Sequence, residues 1–160
     1  MSSSLTRAPV SIQKGIYLNY KINEKSITIS FILISIVVAI ILAPMNKFFL
    51  DNFLYYWLPQ AVVFVLLYIL KLRLAVIAGA AIALTVSLIG YSMFKDSMAW
   101  IGYIFIVPAG FLAAMSYGLS IKSELSISYD DVILNSIFFT IFGIGIVQFI
   151  LCSTVMYCGL

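Results

Sequence analysis

The chain has 160 residues, of which 64% are hydrophobic and only 9% are charged. Soluble domains average roughly 45–50% apolar and about 25% charged residues, so a water-soluble fold of this length would leave too much apolar surface in contact with water. The formal charge of +3 comes from nine scattered Lys and Arg against six Asp and Glu, which excludes a nucleic-acid partner and suggests a topology signal. We therefore predict an all-α, polytopic membrane protein that is surrounded by lipids.

The first predicted element is a cytoplasmic tail over residues 1–25. From Val10 onward apolar and polar residues alternate, and Lys14-Gly15 interrupts the pattern. Period-2 alternation around a glycine predicts two short strands and a turn, which would need a partner surface because an isolated ribbon is marginally stable in water. A flexible tail is the alternative. The predicted partner-contact residues are Ile12, Lys14, Ile16, Leu18, Tyr20 and Lys21.

A transmembrane bundle is predicted over residues 26–157, because a span needs about 20 mostly apolar residues. The predicted spans are residues 26–45, 53–70, 74–94, 98–121 and 132–157. The second span is the shortest, and the fourth contains Pro108, which weakens a helix. The number of spans falls to four if one of these two is re-entrant.

The distribution of Lys and Arg predicts the orientation, because cytoplasmic loops carry the excess of positive charge. With a cytoplasmic N-terminus, the outer side holds only Lys47 and Lys95. The inner side then holds Arg7, Lys14, Lys21, Lys25, Lys71, Arg73 and Lys122. Five spans place the C-terminus outside. The Ile-rich composition without His favours a bacterial inner membrane.

Every charged residue lies outside the predicted spans. Asp51, Asp130 and Asp131 open helices, and Glu24 is expected to precede the first one, so these acids complement helix dipoles without any catalytic role. Proton relays and ion-coupled transporters place ionisable residues inside the membrane. We therefore expect no catalytic residues, no bound metal and no cofactor.

Small residues recur every four positions on three predicted helices, and such rows allow helix backbones to approach closely in lipid. The row on the first helix is Ser35, Ala39 and Ala43. The sequence leaves open whether these rows meet within one chain or between copies in a homo-oligomer. The predicted helix-packing residues are Ala75, Gly79, Ala83 and Ser87 on the third helix and Gly110, Ala114 and Gly118 on the fourth.

The fifth predicted helix carries uncharged polar residues in place of such a row. Asn135, Thr140 and Gln148, with Gly143 and Gly145, suit a buried helix contact. Asn135 and Gln148 lie about 220° apart around the helix axis, so they do not form one continuous pore lining.

Three further residues carry expectations about their surroundings. Gln60 is expected at the membrane interface. Cys152 and Cys158 are six positions apart in what the sequence predicts to be continuous helix, so a disulfide between them is not expected.

For function, the sequence favours a non-catalytic membrane subunit that oligomerises and anchors or signals to a cytosolic protein partner. By analogy with small bacterial membrane proteins of this build, the expected setting is a defence or secretion module. The alternatives are an immunity protein that contacts a pore-forming toxin inside the membrane and a holin-like pore-former. Neither alternative needs a charge embedded in the bilayer.

Overall fold

In the computed structural model the described residues form five α-helices and contain no strand. The structure describes the backbone of residues 10–93, 99–124 and 127–154, and the side chains of residues 24–93, 102–124 and 127–153. The helices are α1 (Val10–Leu42), α2 (Phe49–Ile69), α3 (Leu74–Ser92), α4 (Ala99–Ser120) and α5 (Tyr129–Thr154). Each is long and apolar enough to cross a membrane, which confirms the predicted set of five membrane-length helices.

The strands predicted for the N-terminal tail are wrong, because α1 is already helical at Val10. Once the apolar stretch Glu24–Leu42 is helical in lipid, each residue added to its N-terminal side gains a backbone hydrogen bond without a new nucleation cost. An isolated two-stranded ribbon has no such support. All six predicted partner-contact positions therefore lie on the helix, while their side chains fall outside the described residues.

The turn between α1 and α2 follows from Pro44. A proline disfavours the helical conformation in the residue before it, and α1 ends at Leu42. The Asn46 side chain then accepts a hydrogen bond from the Phe48 backbone N–H at 2.9 Å, a local turn that leads directly into α2. Because α2 begins at Phe49, it has 21 residues, more than the predicted eighteen-residue span, with Asp51 in its first turn.

The third helix lies at the centre of the bundle. It packs against all four other helices, and 61% of its span is buried, compared with 17% for α1 and for α5. A helix with neighbours on every side needs short side chains all round, which accounts for its many Ala and Gly residues. The remaining helices surround α3, and many large apolar side chains are exposed on their outer faces.

Candidate functional site

A cluster of polar side chains joins three helices at the end of the bundle where α3 begins. We call Glu24, Thr28, Arg73 and Tyr129 the Arg73 cluster. Arg73 Nη2 lies 3.8 Å from Glu24 Oε1, and both Arg73 terminal nitrogens donate to the Ile127 carbonyl at 3.3 Å. Arg73 thereby links α1 to the connection between α4 and α5. The sequence prediction for Glu24 is wrong in this respect: Glu24 lies within α1 and pairs with Arg73 instead of preceding the helix.

The two hydroxyl groups of the Arg73 cluster are buried between α1, α3 and α5. Thr28 Oγ1 lies 2.8 Å from the Glu24 carbonyl oxygen and 3.2 Å from that of Leu74. The Tyr129 hydroxyl donates to the same Glu24 carbonyl at 3.4 Å. Burial of these groups makes the contacts specific, because any displacement of α1 leaves a polar atom without its partner.

Deeper in the bundle, uncharged polar groups pair across other helices. The Ser35 hydroxyl on α1 donates to Gln60 Oε1 on α2 at 2.7 Å, and both residues are fully buried. The expectation of an interfacial Gln60 is therefore wrong. The Tyr91 hydroxyl on α3 donates to Gln148 Oε1 on α5. These pairs fix which helices are neighbours where lipid supplies no hydrophobic driving force between them.

In the described part of the bundle, three buried side-chain atoms have no hydrogen-bond partner: Trp57 Nε1, Tyr103 Oη and Tyr117 Oη. Tyr103 is only 1% exposed and lies close to Gln60, but its hydroxyl does not meet the amide with hydrogen-bond geometry. Among the described residues, no group of three or more His, Cys, Asp or Glu side chains is arranged to hold a metal ion.

The predicted helix-packing residues all lie at or beside contacts within the chain. Gly79 is the tightest, because a Cβ there would come within 2.7 Å of the Ile133 carbonyl oxygen on α5. Gly110 faces the side chains of Ile144 and Leu84, and Gly118 faces that of Leu72. Ala75, Ala83 and Ala114 are fully buried, and the half-buried Ser87 donates to the Ala83 carbonyl at 2.8 Å.

The polar residues of α5 separate into two groups. Thr140 is fully buried, Gly143 packs against Ala113 of α4, and Gln148 is half-buried, as a buried helix contact requires. Asn135 and Gly145 do not take part in a helix contact within the described part of the chain. Both are exposed, and a Cβ at Gly145 would meet nothing within 4 Å.

Cys152 is bonded in a disulfide, contrary to the expectation from the sequence. Cys158, the other cysteine of the chain, lies outside the described residues. The Gln148 amide donates to Cys152 Sγ at 3.2 Å, which places the sulfur beside the contact between Tyr91 and Gln148.

The sequence did not point to Thr28 or Tyr129 as contact residues, and it placed Ser35 in a small-residue row without predicting its hydrogen bond to Gln60. Ser, Thr and Tyr are common in apolar helices, and only the packing shows which hydroxyl groups reach a neighbour. Glu24 and Thr28 are four positions apart, a spacing that also occurs on exposed helices, so the spacing did not predict a buried contact.

The fold and the contacts together define a class: a helical bundle of five helices, each long and apolar enough to cross a membrane, around a small-residue centre, which is consistent with a multi-pass membrane protein. No family model matches the chain, and no curated protein and no solved structure matches it either.

Proposed function

We propose that this protein is a non-catalytic membrane subunit that oligomerises and uses the N-terminal part of α1 to anchor or signal to a cytosolic protein. The observation that carries the proposal is the length of α1, which is 33 residues without interruption. At about 1.5 Å per residue it measures roughly 50 Å, whereas the hydrocarbon core is about 30 Å thick. Some 20 Å of helix therefore remains for a partner outside the membrane.

The helical register groups the predicted partner-contact positions in a new way. At about 100° per residue, Ile12, Ile16 and Tyr20 fall within an arc of about 80°. Lys14 and Lys21 fall on the opposite side, and Leu18 falls beside the lysines. An apolar stripe opposite a basic one suits a helix that lies in an apolar groove of a partner while its lysines remain in water.

The Arg73 cluster supports a signalling role because it holds α1 where that helix enters the bundle. Glu24 and Thr28 are tied to α3 and α5 through Arg73, the Leu74 carbonyl and Tyr129. A partner that binds residues 10–23 pulls on a helix that continues without a break into these contacts. Binding outside the membrane is thereby coupled to the packing of three helices inside it.

The test is quantitative recovery of soluble proteins with the full chain purified in mild detergent. The triple variant Ile12→Ser, Ile16→Ser and Tyr20→Ser removes the apolar stripe, and Leu18→Ser is the matched control on the other side of the helix. We expect the triple variant to insert normally and to lose about ten-fold or more of one specific soluble partner, because it loses the apolar contacts of the groove. The Leu18 variant should keep that partner.

Equal recovery of the same soluble proteins with both variants contradicts the proposed contact. Loss with Leu18→Ser and retention with the triple variant contradicts the helical register. A wild-type chain that recovers no specific soluble protein contradicts the anchoring role as a whole.

A further inference from the structure

An exposed stripe on α5 has the spacing of a helix–helix seam. We call Asn135, Phe138, Phe142, Gly145 and Phe149 the Asn135 face. The steps of three, four, three and four residues are those of a heptad repeat, which keeps successive side chains along one side of a helix. Its three phenylalanines are 64%, 58% and 74% exposed, and its Asn and Gly are exposed as well. The opposite side of α5 packs against α3 and α4.

Exposed phenylalanines are common on helices in lipid. An exposed carboxamide such as that of Asn135 is unusual there, because it is polar. The span of α5 runs over Tyr129–Ser153, so Asn135 lies six residues from its midpoint at Ile141. At about 1.5 Å per residue that is roughly 9 Å, inside the half-thickness of about 15 Å of the hydrocarbon core. Within the described part of the chain the Asn135 side chain makes no hydrogen bond. Lipid tails offer it none, so the amide needs a partner from another helix.

A second copy of this chain supplies that partner. A carboxamide contains both donors and an acceptor, so two copies of Asn135 satisfy each other across a two-fold axis. Copies inserted with the same topology have parallel α5 helices, which brings Asn135 to the same depth in both. An Asn at one core position of a parallel heptad seam is also the arrangement that fixes register and oligomer state.

Gly145 provides the close approach that such a seam needs. The space around it is open, because a Cβ there would meet nothing within 4 Å, unlike Gly143 on the packed side of α5, where a Cβ would come within 2.6 Å of Ala113. A glycine on a lipid-facing surface gives the chain no internal packing. It does allow a neighbouring helix to come near, with Phe142 and Phe149 on either side.

We propose that α5 pairs in parallel with α5 of a second copy through the Asn135 face, with the two Asn135 amides hydrogen-bonded inside the membrane. This inference rests on the proposed function in one respect, since it identifies the surface through which the subunit oligomerises. Phe138, Phe142 and Phe149 then cover the seam, and Gly145 sets the distance between the two helices.

The test is the association constant of the full chain in lipid bilayers, measured by energy transfer between labelled copies over a range of protein-to-lipid ratios. Asn135→Leu removes the amide, and Gly145→Leu fills the gap. Gly90→Leu is the matched control, because Gly90 on α3 also has nothing within 4 Å of a Cβ and lies away from the face. We expect each face variant to lower association about ten-fold or more and the control to change it less than about two-fold.

Association that persists at wild-type strength in both face variants overturns the inference, as does a wild-type chain that is monomeric. A second measurement, photo-cross-linking from position 142 in cells, separates the possible neighbours. A product of twice the chain mass supports pairing between copies, whereas a product with a different membrane protein overturns it. Partner recovery through residues 10–23 is measured on the same samples, so a wild-type chain that does not pair but still recovers its soluble partner refutes this inference and leaves the anchoring role intact.

Discussion

Single glycines of α3 show how the same residue type has opposite roles within one helix. Gly79 faces α5, where a Cβ would lie 2.6 Å from Ser136 Cβ and 2.7 Å from the Ile133 carbonyl oxygen. Backbone atoms of a packed helix cannot move aside without displacing the helix. At Gly90, eleven positions further along α3, a Cβ would meet nothing within 4 Å. One glycine is required by packing, and the other is not.

Gly79→Ala and Gly90→Ala should therefore change stability in opposite directions. The Gly79 variant forces α3 and α5 apart and should lose about 1–3 kcal/mol of unfolding free energy. The Gly90 variant removes the conformational freedom of glycine from a helix and should gain up to about 1 kcal/mol. The stability of Gly110→Ala should lie between those of the other two variants, because the atoms nearest to its Cβ are the ends of flexible side chains at 3.2–3.3 Å. Denaturation in mixed micelles measures all three, and equal values would remove close packing as the reason for Gly79.

At the scale of elements, the sequence predicted the helices far better than their faces. Apolar runs of the right length become spans because lipid forces every backbone group to bond within its own helix. The side on which a residue lies depends on neighbours that the run does not specify, so Gln60 is buried, contrary to expectation, and Asn135 is exposed within the chain. The prediction of strands in the tail was wrong for a different reason. Residues 10–23 alternate as a strand would, but they extend a helix whose stable part lies further along the chain, and their own sequence carries no sign of that helix.

The end of α2 has a backbone conformation that the sequence does not predict. The Leu72 N–H donates to the Leu67 carbonyl at 3.3 Å and the Lys71 N–H to that of Tyr68 at 2.9 Å, the paired bonds of a Schellman motif. Lys71 occupies its left-handed position with φ of 55°, where glycine is usual. A lysine there is strained, and its charge at the predicted inner side offers a reason other than stability for its presence.

Lys71→Gly should stabilise the fold by about 0.5–1 kcal/mol, because relief of the left-handed strain outweighs the greater entropy that glycine gives to the unfolded chain. Lys71→Ala removes the same charge but keeps a Cβ, so it should leave stability nearly unchanged. Unfolding in mixed micelles compares the two variants. A gain of the same size in both would show that charge, and not the backbone conformation, makes Lys71 unfavourable.

For the whole molecule, the two ends of the bundle differ in chemistry. One end contains the Arg73 cluster, together with Lys122, which donates to the Leu70 carbonyl at 3.4 Å. The other contains Lys47 and the disulfide-bonded Cys152 near the end of α5. Disulfides persist in oxidising compartments such as the bacterial periplasm, whereas positively charged loops stay in the cytoplasm. Two unrelated signals therefore favour the same orientation, with the Arg73 cluster inside and the end of α5 outside.

Reporter fusions test this orientation on the intact chain. Green fluorescent protein joined before Met1 should fluoresce, and alkaline phosphatase joined after Leu160 should be active, because the first needs the cytoplasm to fold and the second needs the periplasm to form its disulfides. Phosphatase joined after Ser123, in the connection between α4 and α5, should be inactive and serves as the internal control. Cys152→Ser should leave this pattern unchanged, since the distribution of Lys and Arg, and not the disulfide, is expected to set the orientation. If both termini report cytoplasm, one of the five membrane-length helices does not cross the bilayer, and the disulfide-bonded end of α5 then lies where thiols are kept reduced.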